Sequence, residues 1–239
     1  MIKIEKVDVF GWDAAIRGLR NPMNSWDKSD SHYGCGDVYC YECKHSERCP
    51  TRFPTSHFEV GPNDLSLMKK LVKAGSDHSK FMRMINVTCD ITAPLYWWKE
   101  YDTYKVGTVA NSCSTMHKIH EKEFTLDDFS HEHLTLYNPN GEICRDWLGD
   151  LEDLIDDMNL ARELYLETND KRYWWQMIQL LPTSYNQKRT VQLNYAVLRN
   201  MYFSRRNHKL DEWRNFCEWV ETLPYAELIT DGGINNDDT

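Results

Sequence analysis

Three features of the sequence predict an α+β fold. Ile85, Val87, Cys89 and Ile91 alternate without a break against Asn86, Thr88, Asp90 and Thr92, as in a strand with one apolar and one polar face. Leu148, Leu151, Leu154, Ile155 and Met158 recur with helical period and run on toward Leu166, so a long amphipathic helix is expected there. A few strands in the N-terminal half and mostly helices elsewhere complete the pattern.

The remaining elements follow in order. MIKIEKVDVFGW at Met1 alternates like a strand, and Asp13 to Leu19 reads as a short helix ended at Arg20-Asn21-Pro22. Residues 24–63, rich in Ser, Asp, Gly and Cys, form an irregular insertion, and a structureless loop of that length needs an anchor. Asn63 or Asp64 is expected to cap a helix with Leu65, Met68, Leu71 and Val72 on one face and Gly75 as its stop. After the Ile85 strand come Pro94, an aromatic helix from Tyr96 to Tyr101, a turn at Gly107, and a polar run from Asn111 to Lys118 read as loop. Residues 121–146, with Asn138-Pro139-Asn140-Gly141, read as a surface connection, and helix resumes at Trp147. A shorter helix from Lys171 to Leu181 is stopped by Pro182. Within Leu180 to Trp213 one helix is expected, with Val191, Tyr195, Leu198 and Tyr202 as its apolar stripe and Asn194 and Arg205 on a neighbouring line. That line either faces an anionic ligand or belongs to a solvated rim with Arg189, Arg199 and Arg206. Leu210 to Leu223 makes a last helix, with Trp213, Phe216, Cys217 and Val220 as its apolar residues. Residues 1–230 are expected to form one domain, followed by a flexible tail, 231–239.

Lys and Arg number 28 against 37 Asp and Glu, a formal charge of −9 that argues against a broad polynucleotide surface and leaves small phosphate ligands open. No apolar stretch has signal-peptide or membrane-span character, so a soluble, cytoplasmic protein is expected. Cys35, Cys40, Cys43 and Cys49 crowd into a C-x4-C-x2-C-x5-C run, with His32 and His45 beside them. Without export signals this reads more naturally as a metal knuckle than as disulfides. A structural zinc leads, with an iron–sulfur cluster or plain reduced thiols as alternatives.

Two segments, Leu71 to Lys118 and Leu180 to Trp213, together resemble the flavin-dependent thymidylate synthases, the ThyX family. The order of Leu71-Val72-Lys73-Ala74-Gly75, the Ile85 strand, Ala93-Pro94 and Trp97-Trp98 is similar to the run leading into that family's signature. Leu181-Pro182, Tyr185, Thr190-Val191, Asn194, Asn200, Arg205 and Trp213 resemble its C-terminal half. On the signature itself, Thr103, Tyr104 and Lys105 fall on the Arg-His-Arg positions and Thr108 on the first Ser, while Asn111 and Ser114 fall on the Asn and the second Ser. Ser112 stands in place of the family Glu, Met116 in place of its phosphate Arg and His117 in place of its Tyr; Arg83 stands where a His lies near the flavin.

The resemblance implies a mixed antiparallel sheet packed with long helices, a homotetramer, FAD, dUMP or a related pyrimidine nucleotide, a folate carbon donor and NADPH. It implies catalytic roles for Arg205 and Ser114, and FAD contacts from Arg83, Tyr104, Lys105, Asn111, Asn194 and Asn200. Substrate contacts are implied for Glu100, Ser112, Ser114, His117, Lys118, Arg205 and Arg206. In such chemistry the cofactor does the hard step and the protein orients and stabilises charge. The departures from the signature keep a rival in view, a nucleotide-binding protein that has lost the cofactor.

Overall fold

The alternation at Ile85 builds the central strand of the fold. The computed structural model describes residues 2–33 and 58–232, and within them strand β1 (Lys3–Phe10) leads into helix α1 (Trp12–Arg20). A short strand pair follows, β2 (His32–Tyr33) with β3 (Phe58–Glu59), and then helix α2 (Pro62–Lys73). β4 (Asn86–Pro94), α3 (Leu95–Tyr101), β5 (Thr108–Ser112) and the short α4 (Thr115–Lys118) come next. The rest is α5 (Trp147–Thr168), α6 (Lys171–Leu180), β6 (Asn186–Asn194), α7 (Tyr195–Arg205), α8 (Asp211–Glu221) and α9 (Glu227–Thr230). Among the described residues β1, β4, β6 and β5 form an antiparallel sheet in that order. The class is therefore α+β, as expected.

Period two makes this sheet one-sided. Val87, Cys89, Ile91, Val191 and Leu193 share a buried face covered by Trp12, Ile16, Met68, Leu198, Phe216 and their neighbours. Thr88, Thr92, Lys188, Thr190 and Gln192 lie on the other face, exposed or half-buried. There Asp90 accepts from Thr190 Oγ1 at 2.6 Å and pairs with Lys188 at 3.0 Å; the Thr190 bond and the Lys188 cation hold its carboxyl below the usual carboxylate range. A second apolar cluster, with Phe124, Phe129, Leu151, Ile155, Met158 and Met177, joins α5 and α6 to the chain before them.

Several expectations change. Val191 lies on β6 and not on a helix: Thr190-Val191-Gln192-Leu193 alternates, and the helix begins only after Asn194 caps it, Oδ1 accepting from Val197 N at 3.0 Å. Tyr195, Leu198 and Tyr202 do face the core, joined by Met201. The polar run at Asn111 is not all loop, because Thr108 to Ser112 pairs along β6. Residues 121–146 are not wholly a surface connection, since Phe124 and Phe129 are buried and Asn159 clamps both backbone groups of Phe124 at 2.9 Å.

Neither Asn63 nor Asp64 caps α2. Gly61 is the cap position, and the carboxylate of Asp30 accepts from Asn63 N at 2.9 Å and Asp64 N at 3.1 Å. Asp64 is fully buried inside the first turn and pairs with the equally enclosed Arg20 at 2.6 Å. It also accepts from the hydroxyls of Ser29 (2.7 Å) and Ser31 (2.6 Å) and from backbone N–H groups of Asp30 and Ser31. Burial pushes its carboxyl up, but the serine and arginine donors outweigh this and leave it below the usual range. The start of the insertion is thus held to α1 and α2 by one carboxylate. The zinc expectation at Cys35, Cys40, Cys43 and Cys49 and most of the expected tail lie outside the described residues. Among those described, no cluster of His, Cys, Asp or Glu could hold a metal, and no helix is long and apolar enough to cross a membrane.

Candidate functional site

The aromatic helix α3 ends in the acidic pair Glu100 and Asp102, and each of these carboxylates holds one arginine from the C-terminal half. Arg205, at the end of α7, donates from Nη1 to Glu100 Oε2 at 2.7 Å and from Nε to the hydroxyl of Tyr104 at 2.9 Å. Its guanidinium lies 4.9 Å from the Trp213 ring centre. Trp213 Nε1 donates to the same Glu100 oxygen at 3.0 Å, and His208 Nε2 lies 3.3 Å from it. Because Leu210 N donates to His208 Nδ1 at 3.2 Å, the neutral ring carries its proton on Nε2, facing Glu100. Glu100 Oε1 and Arg205 Nη2 keep no partner among the described residues, with the side chains a third and a fifth exposed.

The second arginine, Arg189 on β6, pairs with Asp102 at 2.7 Å, donates to Gln187 Oε1 at 2.9 Å and lies 4.2 Å over the ring of Trp98. Trp98 is anchored in turn by donating Nε1 to the Gln187 carbonyl at 2.8 Å. Trp98, Trp97 and Trp213 follow one another at ring separations of 4.9 and 4.8 Å, so the two arginines flank one aromatic wall. Burial of the wall is near total, and among the described residues Trp97 Nε1 and the Tyr101 hydroxyl have no hydrogen-bond partner.

The turn at Gly107 packs directly on the start of α7. Gly107 has φ +81, and a Cβ there would come within 2.7 Å of Asn194 Nδ2 and 3.0 Å of Val197 Cγ2. The two segments singled out in the sequence, Leu71 to Lys118 and Leu180 to Trp213, therefore meet within one chain at Gly107 and Asn194. From Gly107 the chain enters β5, whose Asn111 and Ser112 lie opposite Thr190 and Arg189 and are exposed. Ser114 caps α4 by accepting from His117 N at 3.2 Å, and Lys118 is held by Glu121. Gln187 Nε2 fastens this end of β5 by donating to Thr115 Oγ1 at 2.8 Å.

The expected site residues thus fall into three groups. Glu100, Tyr104 and Arg205 meet in one hydrogen-bonded cluster. Lys105, Asn111, Ser112, Ser114, His117 and Lys118 form an exposed polar stretch along and beyond β5. Arg83, Asn200 and Arg206 are exposed and make no hydrogen bond to that cluster among the described residues, Arg83 lying in a 3-10 turn, Asn200 accepting from Ser204 and Arg206 lying beside the Phe203 ring. Asn194 and Arg205 stand at opposite ends of α7, about 16 Å apart at 1.5 Å per residue, so no small group is touched by both. Sequence reasoning missed His208, Asp102 and the stacked role of Arg189. The usable signal for Arg189 was its place next to Thr190-Val191-Gln192-Leu193, where alternation puts it on the core side of the sheet. Among the described residues a cavity of about 640 Å³ lies among other elements, lined by Arg20, Asp27, Lys28, Ser29, Asp30 and Asn63 with Leu67.

No family model and no curated protein matches the chain. Among solved structures it is similar to thymidylate synthase X (ThyX) from Helicobacter pylori with FAD and dUMP, at a TM-score of 0.63 and 16% identity over 97% of this chain and 98% of that one. A second structure of the flavin-dependent enzyme from that organism, complexed with FAD and dUMP, gives 0.63 and 15% over 96% and 98%. The UMP/dUMP methylase PolB from Streptomyces cacaoi, bound with 5-Br dUMP, is similar at 0.55 and 17% over 93% and 89%. At such identities the likeness is one of architecture, and it spans almost the whole chain: this protein has the fold of the flavin-dependent thymidylate synthases.

Proposed function

We propose that the protein is a flavin-dependent enzyme that modifies a pyrimidine nucleotide, most simply by reductive methylation of dUMP to dTMP with methylenetetrahydrofolate and NADPH. The observation that carries this reading is the direct packing of the Gly107 turn on the Asn194 end of α7, in a fold shared end to end with enzymes crystallised with FAD and dUMP.

The donor set fits an anionic, hydrogen-bonding cofactor. Lys105, Asn111 and the outer edge of β5 are exposed and unspent, Asn194 keeps its Nδ2 group, and Arg83 and Asn200 are exposed. In this reading these residues and Tyr104 hold FAD, which when bound supplies hydride transfer. Arg205, pre-set by Glu100 and Tyr104, donates toward charge developing on the pyrimidine, and Ser114, Ser112, His117, Lys118 and Arg206 orient the nucleotide. A homotetramer in the cytoplasm, and zinc at Cys35, Cys40, Cys43 and Cys49, are part of the same proposal.

The test is the absorption spectrum of the purified protein with metal analysis on the same sample, followed by assay for dTMP. A yellow protein that releases FAD on denaturation and forms dTMP is expected. Yellow protein that makes no dTMP would sink the synthase assignment and leave the flavoprotein. The engagement of both wall arginines by acids of their own chain favours a second reading, a non-catalytic nucleotide-binding protein. Colourless protein stabilised by a nucleotide without turnover would establish it.

A further inference from the structure

The two edges of the four-stranded sheet are built differently. β1 carries Lys3, Glu5, Lys6 and Asp8 within its 8 residues, its register on β4 slips between Glu5 and Asp8, and Lys6 lies at φ +52. Charges and a bulge of this kind keep an edge strand from taking up another chain. β5 has neither: Thr108 to Ser112 reads Thr-Val-Ala-Asn-Ser, without charge or proline, and its register on β6 is unbroken. Because Cys113 N donates to the Lys188 carbonyl at 3.0 Å, alternation turns the backbone groups of Val109 and Asn111 toward β6 and those of Thr108, Ala110 and Ser112 outward. Ala110 and Ser112 are exposed, and among the described residues nothing bonds their outward backbone groups. Apolar side chains gather along this edge, Val106 being 88%, Val109 62% and Met116 48% exposed.

We infer that β5 is a contact between two copies of this chain, paired antiparallel about a two-fold axis at Ala110. In that register Ala110 lies opposite Ala110 of the second copy and Thr108 opposite its Ser112, so the outward backbone groups of each strand find partners on the other. A second copy matches this edge because it brings the same uncharged run and the same flanking apolar side chains. The small Ala110 side chain clears the axis, no like charges meet within the paired strands, and Val106 of each copy is carried to the α4 end of the other, where Met116 is exposed. The inference gives the oligomer of the reading above a specific contact and does not depend on its chemistry. What the second copy takes is the backbone edge. The Asn111 side chain stays on the open face of the sheet beside Thr190, so the exposed polar stretches of the two copies lie at their junction.

Analytical ultracentrifugation of the purified full-length protein, with amide exchange read at Ser112, tests this. Wild type is expected to sediment as a species with an even number of chains and with the Ser112 amide protected. Ala110→Lys sets two cations against each other at the axis, and Ala110→Pro removes an outward N–H without touching a bond to β6. Each variant is expected to halve the sedimenting mass and to speed exchange at Ser112 about tenfold, with the far-ultraviolet circular dichroism unchanged. Wild type that sediments as single chains overturns the inference, and a protected Ser112 amide in those single chains would assign the edge to a segment of the same chain. Variants that fold and keep the wild-type mass overturn it as well. An associated wild type whose Ser112 amide exchanges freely overturns the β5 contact while leaving the oligomer and the flavin reading intact.

Discussion

Glu100 and Arg205 close on each other at 2.7 Å across 105 positions of chain. This contact ties the end of α3 to the end of α7, and the Tyr104 hydroxyl and the Trp213 ring fix the guanidinium plane from two further sides. Lysine keeps the charge but neither the second donor nor the flat face. Arg205→Lys is expected to lose about 1–2 kcal/mol of stability through the Tyr104 bond and the ring contact. Urea denaturation beside Tyr104→Phe checks this, and a double variant that costs no more than Arg205→Lys alone would locate the loss in that bond.

Gly107 sits at φ +81 with Asn194 Nδ2 2.7 Å from where its Cβ would be. Gly107→Ala therefore combines an unfavourable backbone region with a collision against the cap of α7, for a cost of about 1–3 kcal/mol. Amide exchange should rise first at Val197, whose N–H the Asn194 side chain accepts. Unchanged protection there would refute the packing described.

Asp64 is enclosed and paired with Arg20. Asp64→Asn leaves that arginine buried without its counter-charge and is expected to cost about 3–5 kcal/mol. Double replacement by apolar residues of similar volume should recover only the part due to the unpaired guanidinium, because the N–H groups of Asp30 and Ser31 and the hydroxyls of Ser29 and Ser31 lose their acceptor.

The same carboxylate sets an acid limit. Its folded pKa is depressed, so its contribution is complete above the unfolded aspartate value, about 3.9, and is lost as pH falls through the lower folded value. Wild type should lose stability over that acid range more steeply than Asp64→Asn, in equilibrium unfolding measured from pH 6 downward. Parallel curves for the two proteins would contradict the depressed pKa.

Arg199 donates to the carbonyls of Ile229 (2.7 Å), Asp231 (2.9 Å) and Gly232 (2.8 Å). Burial draws its pKa below the usual arginine value, with Asp231 opposing. Arg199→Ala should raise proteolytic cleavage after Ile229 and cost about 1–3 kcal/mol, with the core around Trp213 unaffected by near-ultraviolet circular dichroism.

The strand at Ile85 was legible because period two ran unbroken over its length, and the helix at Trp147 because its stripe persisted over several turns. β6 was misread for a definite reason. Val191, Tyr195, Leu198 and Tyr202 satisfy helical spacing, yet Val191 belongs to a strand that ends one residue before the helix starts; the two periods overlap at a single valine. Asp64 shows a different limit. As a polar residue before an apolar stripe it matched a cap, and only the distant Arg20, Ser29 and Ser31 reveal that it points inward. At the site, Arg205 stood out, but Glu100 as its jailer and His208 as a third voice on the same oxygen depend on contacts no local spacing encodes.

Tyr33 and Phe58 face each other across the β2–β3 pair. The pairing sets the two points where the chain leaves and re-enters the described residues side by side, and the contacts of Asp64 to Ser29, Asp30 and Ser31 brace the approach to the first of them. Splicing a tight turn directly between Tyr33 and Phe58 should yield a shorter protein with the parent's helical spectrum.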